Sequence, residues 1–237
     1  MSDLATRTLL VDVWADVACP WCWIGEHRLA AAVARLSAER PELVVDRRWR
    51  PYQLQPGLPP RGEPWGEFAD RKFGGAARMA AAFGHVAAAG AADGLTFRFD
   101  RMTVAPNTRA AHRLVLHAGR TGAGDAEGAD VDAAGAGRRE LAMADRLFRA
   151  YFADGADVTD PEVLADLAVE EGMERAATLA FLAGDALALD VQASQREAAR
   201  LGVQGVPFVV LDGRLAVSGA QPVELFERAL RAALEPA

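Results

Sequence analysis

The sequence holds only two cysteines, Cys19 and Cys22, in 237 residues. That scarcity excludes a disulfide-stapled scaffold, and a chain of this length can bury a core without staples. It also weakens any case for structural zinc, which takes about four protein ligands. The histidines His27, His85, His112 and His117 are scattered, and the last two are too unevenly spaced to share a helix face. No metal is therefore expected. Positive charge is not in excess either: the net charge is −7, which argues against nucleic acid or an anionic membrane as partner. Long apolar runs are missing. Leu9 to Trp14 is interrupted by Asp12, and the Ala-rich stretches carry charges and glycine, so neither a signal peptide nor a membrane span is expected. These absences lead to an expected cytoplasmic location. Thiols are kept reduced there, and a close cysteine pair serves catalysis, redox sensing or metal binding.

What is present begins with a strand-to-helix junction. Leu9-Leu10-Val11-Asp12-Val13-Trp14 is short, apolar and β-branched, and predicts a buried strand. Pro20 suits the first position of a following helix, where a missing N–H costs nothing. Cys22, Leu29, Val33 and Leu36 then share one face, and Pro41 stops the helix. Leu43 to Trp49 predicts a second strand, stopped by Pro51. The unit is βαβ, with both cysteines at its strand-to-helix turn.

From Pro64 to about Arg200 the composition turns helical, with periods over Trp65–Phe73, Arg78–Ala89, Thr108–Ala118, Arg138–Tyr151 and Pro161–Glu171. Asn107 and Asp160 are candidate N-caps. Thr121 to Gly137, mostly Gly, Ala and Asp, reads as a mobile loop. Strands return at Val206 to Leu211 and Leu215 to Val217, joined by Asp212-Gly213, a hairpin signal. Pro222 opens a last helix. No repeats occur. The predicted class is α/β, a βαβ…ββα thioredoxin fold with a large all-helical insertion. Residues 1–55 and 195–237 form the thioredoxin-like part, and residues 56–194 the inserted subdomain.

A Cys-x-x-Cys turn at a helix start sets its first sulfur over unpaired backbone N–H groups, which together with the helix dipole favour the thiolate. Cys19 is thus the expected nucleophile. Cys22, one turn inside, is the expected resolving thiol that attacks the mixed disulfide. Pro20 is rigid and donates no hydrogen bond, and Trp21 adds apolar surface without charge. An inert buried cysteine pair is the alternative. Val206-Pro207 either borders the cysteines, with backbone free to pair with substrate, or simply opens an edge strand. Asp16 caps the turn in preference to exchanging protons with the sulfurs. Asp12 either faces the cysteines or emerges at an edge. Asn107 is an N-cap before it is a substrate contact. Trp14, Trp21 and Trp23 are candidates for a substrate groove, with Trp14 better suited to the core.

Asp16-Val17-Ala18-Cys19-Pro20-Trp21-Cys22-Trp23-Ile24-Gly25 resembles the active-site stretch of the DsbA-like thioredoxin-fold oxidoreductases, and within them the FrnE-type branch. Gly205-Val206-Pro207-Phe208, Ser218-Gly219-Ala220-Gln221 and Asn107-Thr108-Arg109-Ala110-Ala111-His112-Arg113-Leu114 are similar to further motifs of that branch, in the same order. The resemblance implies a thioredoxin domain interrupted by a helical subdomain, a cis Pro207, and disulfide exchange with cysteine-containing protein or small-molecule partners. No cofactor is implied beyond the Cys19–Cys22 pair, with glutathione a candidate co-substrate. Some relatives carry further cysteines and this chain has none. The related hydroxychromene-carboxylate isomerases and kappa-class glutathione transferases carry Ser where this chain has Cys19. A glutathione-dependent isomerase or transferase is therefore the alternative function, and a redox-sensing holdase a third.

Overall fold

In the computed structural model of the chain, residues 7–121 and 133–235 are described. Strand β1 (Arg7–Ala15) runs through the middle of a four-stranded sheet. Its alternation is a sorting device: Leu9, Val11, Val13 and Ala15 bury one face, while Trp14 packs on the other against Ala198 and Val203. Helix α1 (Pro20–Glu39) carries the chain to β2 (Leu43–Pro51), which pairs parallel with β1, Val13 opposite Trp49. Parallel neighbours need such a crossover. The chain returns to the sheet at β5 (Phe208–Leu211), antiparallel to β1, and β6 (Leu215–Ser218), in the order β2-β1-β5-β6. Between them Asp212 and Gly213 take φ of 54° and 66°, the left-handed pair of a tight hairpin turn. Helix α9 (Val223–Ala233) buries Phe226, Leu230 and Ala233. This is the βαβ…ββα frame that the strand and helix periods predict.

The insertion contains α2 (Trp65–Phe73), α3 (Ala76–Ala92), a 3-10 turn (Phe99–Arg101), α4 (Arg109–Arg120) and α5 (Ala133–Arg149). A π-turn (Ala150–Asp154), α6 (Pro161–Glu170), α7 (Arg175–Ala183) and α8 (Ala188–Arg200) follow. It is not purely helical. Strands β3 (Glu63–Pro64) and β4 (Val104–Ala105) form a two-residue antiparallel ladder, too short and too proline-bound for any alternation to reveal. The boundary drawn at residue 194 falls inside α8.

The expected loop from Thr121 to Gly137 needs a correction at its C-terminal end. Residues 122–132 lie outside the described residues, but residues 133–137 already belong to α5. The glycine there is a packing device: a Cβ on Gly137 would collide with the carbonyl oxygen of Arg47 on β2. Close helix–strand approach, and not loop freedom, accounts for that residue. Asp12 also departs from both of its alternatives. It lies on the central strand, on the Trp14 face away from α1, and its Oδ1 accepts a 2.7 Å hydrogen bond from Arg50 Nε.

Candidate active site

Cys19 is the N-cap of α1, with φ −102° and ψ 110°, and Pro20 follows at the first helical position. No side chain caps this helix and no acid occupies its first turn, so the positive end of the helix dipole lies at Cys19. Cys19 is 5% exposed and Cys22 fully buried, and both are free thiols. The two sulfurs are therefore unequal. Burial, followed by the hydrogen bond and charge of neighbouring Cys19, pushes the Cys22 thiol well above the ordinary value, and a hydrogen bond from the Asp16 backbone offsets this only in part.

The loop before β5 closes over the pair. The Cys19 thiol donates to the Val206 carbonyl at 3.6 Å, and the Val206–Pro207 peptide bond is cis. Pro207 is held from two sides. Its carbonyl accepts from Gly219 N at 2.8 Å, and its ring lies over Gly25 of α1, where an added Cβ would sit 2.8 Å from Pro207 Cγ. Arg28 donates to the Ala220 carbonyl at 2.9 Å and pairs with Asp93 at 2.7 Å, tying the same corner to the end of α3.

Asp16 is buried beneath the turn. Its Oδ1 accepts from Ala18 N at 3.2 Å and its Oδ2 from Leu54 N at 2.7 Å, so it fastens the cysteine turn to the segment after β2. His112 of α4 places Nε2 3.4 Å from Asp16 Oδ1, while its Nδ1 accepts from Trp49 Nε1 at 3.2 Å. Sequence reasoning passed over His112 as a functional residue. No local sequence signal marks it: its role shows only in its full burial beside Asp16 and Trp49.

Two candidate substrate contacts are displaced by the structure. Trp23 lies in the core, 3% exposed, stacked with Phe148 and Phe152, and its Nε1 donates to Asp145 at 2.9 Å. Its position on the inward face of α1 packs it against the insertion, and it does not line the cleft beside Cys19. Asn107 has its polar atoms committed: Oδ1 accepts from Gln53 Nε2 and Arg109 N, and Nδ2 donates to the Leu58 carbonyl. It stands one residue before the α4 N-cap, Thr108. Trp21 does face open space, edge-on to His85 at 5.3 Å.

That space is a cleft of about 320 Å³ between the cysteine turn and the insertion, with Cys19, Pro20 and Trp21 on one wall. Trp65, Phe68, Phe83 and Phe99 furnish the opposite wall. Among the described residues no three His, Cys, Asp or Glu side chains gather as a metal site.

The DSBA-like thioredoxin domain family matches residues 10–231. The chain belongs to the DsbA-like family. Among solved structures, this DsbA-like chain is 36% identical to a probable DsbA oxidoreductase from Streptomyces coelicolor, with a TM-score of 0.78 over 95% of this chain and 89% of that one. It shares its fold with the cytosolic disulfide reductase DsbM from Pseudomonas aeruginosa, solved with GSH, at 22% identity and TM-score 0.60 over 95% and 98% of the two chains. It also shares it with a 2-hydroxychromene-2-carboxylate isomerase at 15% identity and TM-score 0.61 over 94% and 95%. A search of the curated proteins found no match.

Proposed function

We propose that this DsbA-like protein is a thiol–disulfide oxidoreductase in which Cys19 is the nucleophile and Cys22 the resolving thiol. The observation that carries the reading is the inequality of the sulfurs: Cys19 caps a helix and borders the cleft, whereas Cys22 is sealed behind it. Attack by the Cys19 thiolate on a substrate disulfide releases one substrate thiol and leaves a mixed disulfide. Cys22 then attacks Cys19 Sγ, releases the second thiol and closes the Cys19–Cys22 bond. Substrate gains two electrons and the cysteine pair loses them. Pro20 and Trp21 shape the approach, Asp16 holds the turn, and Val206 and Pro207 border the sulfur.

The same reading assigns the protein to the FrnE-type branch and to the cytoplasm. Its partners are cysteine-containing proteins or small thiols and disulfides, and glutathione is the co-substrate that would restore the dithiol. The apolar cleft beside Cys19 favours a second reading, a glutathione-dependent isomerase or transferase, which retained turnover in Cys19→Ser would support.

Equilibration against graded ratios of reduced to oxidised glutathione tests the reading, with free thiols counted by alkylation and mass. The account expects both thiols to disappear together in one two-electron transition. Two thiols that stay alkylatable at every ratio, or a lasting glutathione adduct on Cys19, would contradict it.

A further inference from the structure

The cleft at Cys19 differs in chemistry from a surface that reads an extended peptide. We propose that it binds a small aromatic disulfide bearing an anionic group, so that the exchange substrate is a planar arylthiol compound and not a polypeptide; this rests on the exchange chemistry proposed above.

Size is the first ground. About 320 Å³ lies at the lower end of small-molecule pockets, room for an arene or two and not for a folded loop. Access is the second. Cys19 is only 5% exposed and lines a cleft to which α2 and α3 contribute much of the wall, so a disulfide reaches the sulfur by entering that cleft. The third ground is the wall. Trp65 and Phe83 stack at 5.9 Å and Phe83 and Phe99 at 4.1 Å, presenting a run of ring faces and edges opposite the Cys19 turn. Arenes gain from offset and edge contacts with such a wall beyond simple burial.

Charge supplies the anionic part. Lys72, the only lysine in the sequence, lines the cleft with its Nζ 5.1 Å from the Phe68 ring, and no carboxylate pairs with it among the described residues. The one acid lining the cleft, Asp16, already accepts hydrogen bonds from Ala18 N and Leu54 N and has His112 Nε2 3.4 Å away. Tyr151, also in the wall, donates its hydroxyl to the Val104 carbonyl at 3.0 Å. A ligand carboxylate would therefore meet a free cation and no free anion.

The step balances without a further reagent in single turnover. The Cys19 thiolate attacks one sulfur of Ar–S–S–Ar, the S–S bond breaks, and ArS⁻ leaves with the electron pair. Burial holds the Cys22 proton tightly, so that proton leaves to solvent and not to the weakly basic arylthiolate as the Cys22 sulfur attacks Cys19 Sγ. The second ArS⁻ departs, and the reduced pair has become a disulfide.

Two measurements on the full chain test the proposal. Calorimetric titration with naphthoate, which cannot exchange, should show saturable binding. Ala82→Trp, which fills the cleft from the exposed face of α3, should abolish it, and Lys72→Met should weaken it roughly two- to fivefold. Stopped-flow oxidation of the reduced protein should give a rate that saturates with dithiodibenzoate and rises linearly with oxidised glutathione. Absence of naphthoate binding, or unaltered binding in both variants, would overturn the assignment of the cleft. Faster, saturable oxidation by a denatured disulfide protein would overturn the substrate class in favour of a polypeptide. Saturable naphthoate binding with no oxidation of the pair by any disulfide would identify the failure as that of the exchange chemistry underneath, and the proposal would fall with it.

Discussion

The Cys19 thiol meets the Val206 carbonyl at 3.6 Å, across 187 positions of sequence. The contact makes the late loop a part of the cysteine site, and the loop's own position depends on Pro207 lying over Gly25. Under the proposed chemistry, exchange at Cys19 is expected to depend on packing several residues away.

Gly25→Ala tests that dependence. The added Cβ would press on Pro207 Cγ at 2.8 Å and on the Ala220 backbone at 3.4 Å, so the loop or the helix must shift. Overpacking of this kind costs about 1–3 kcal/mol. The expected outcome is a lower midpoint in urea and a slower exchange rate. A variant as stable and as fast as the parent would show that the loop yields freely.

Trp23→Phe separates core from groove. The ring stack with Phe148 and Phe152 survives, and the hydrogen bond to Asp145 is lost. A loss of about 1 kcal/mol in stability is expected, with the exchange rate and its substrate dependence unchanged. A changed half-saturation concentration would return Trp23 to the groove.

Glu140 gives a pH signature. Burial raises its carboxyl from 4.5 to about 7, against the Trp49 N–H and the charges of Arg50 and Arg120, with Asp46 adding to the rise. A raised carboxyl binds its proton more tightly when folded. Its contribution is full below about pH 4.5 and is lost as pH climbs through about 7. Glu26 shifts in the same direction, so the difference between parent and Glu140→Gln isolates Glu140. That difference should fall between pH 4.5 and 7 in urea titrations. A flat difference would mean the site is wetter than its burial indicates.

Much of this arrangement was legible in the sequence, because the signals were local. A short apolar, β-branched run located β1, Pro20 located the start of α1, and Asp212-Gly213 located the hairpin between β5 and β6. Helix α2 matched its predicted span, Trp65–Phe73. What stayed hidden depends on pairings distant in sequence. Glycine at 137 looks like loop composition until β2 is seen against it. Trp23 and Trp21 are two residues apart on one helix, and only the helix's orientation decides that one is core and the other faces the cleft. His112 is joined to Asp16 and Trp49 by tertiary contact alone. The ladder of β3 with β4 is two residues long, below any periodicity.

The inequality of Cys19 and Cys22 is tested most directly by trapping. Each single Cys→Ser variant is incubated with a disulfide substrate and resolved on a non-reducing gel. Cys19→Ser removes the sulfur at the helix start, and serine is too weakly acidic to replace a thiolate there. Cys22→Ser keeps the nucleophile and lacks the thiol that would release it. The account predicts a mixed disulfide that accumulates with Cys22→Ser, disappears with reductant, and is absent with Cys19→Ser. Equal trapping by both variants, or trapping by Cys19→Ser alone, would contradict it.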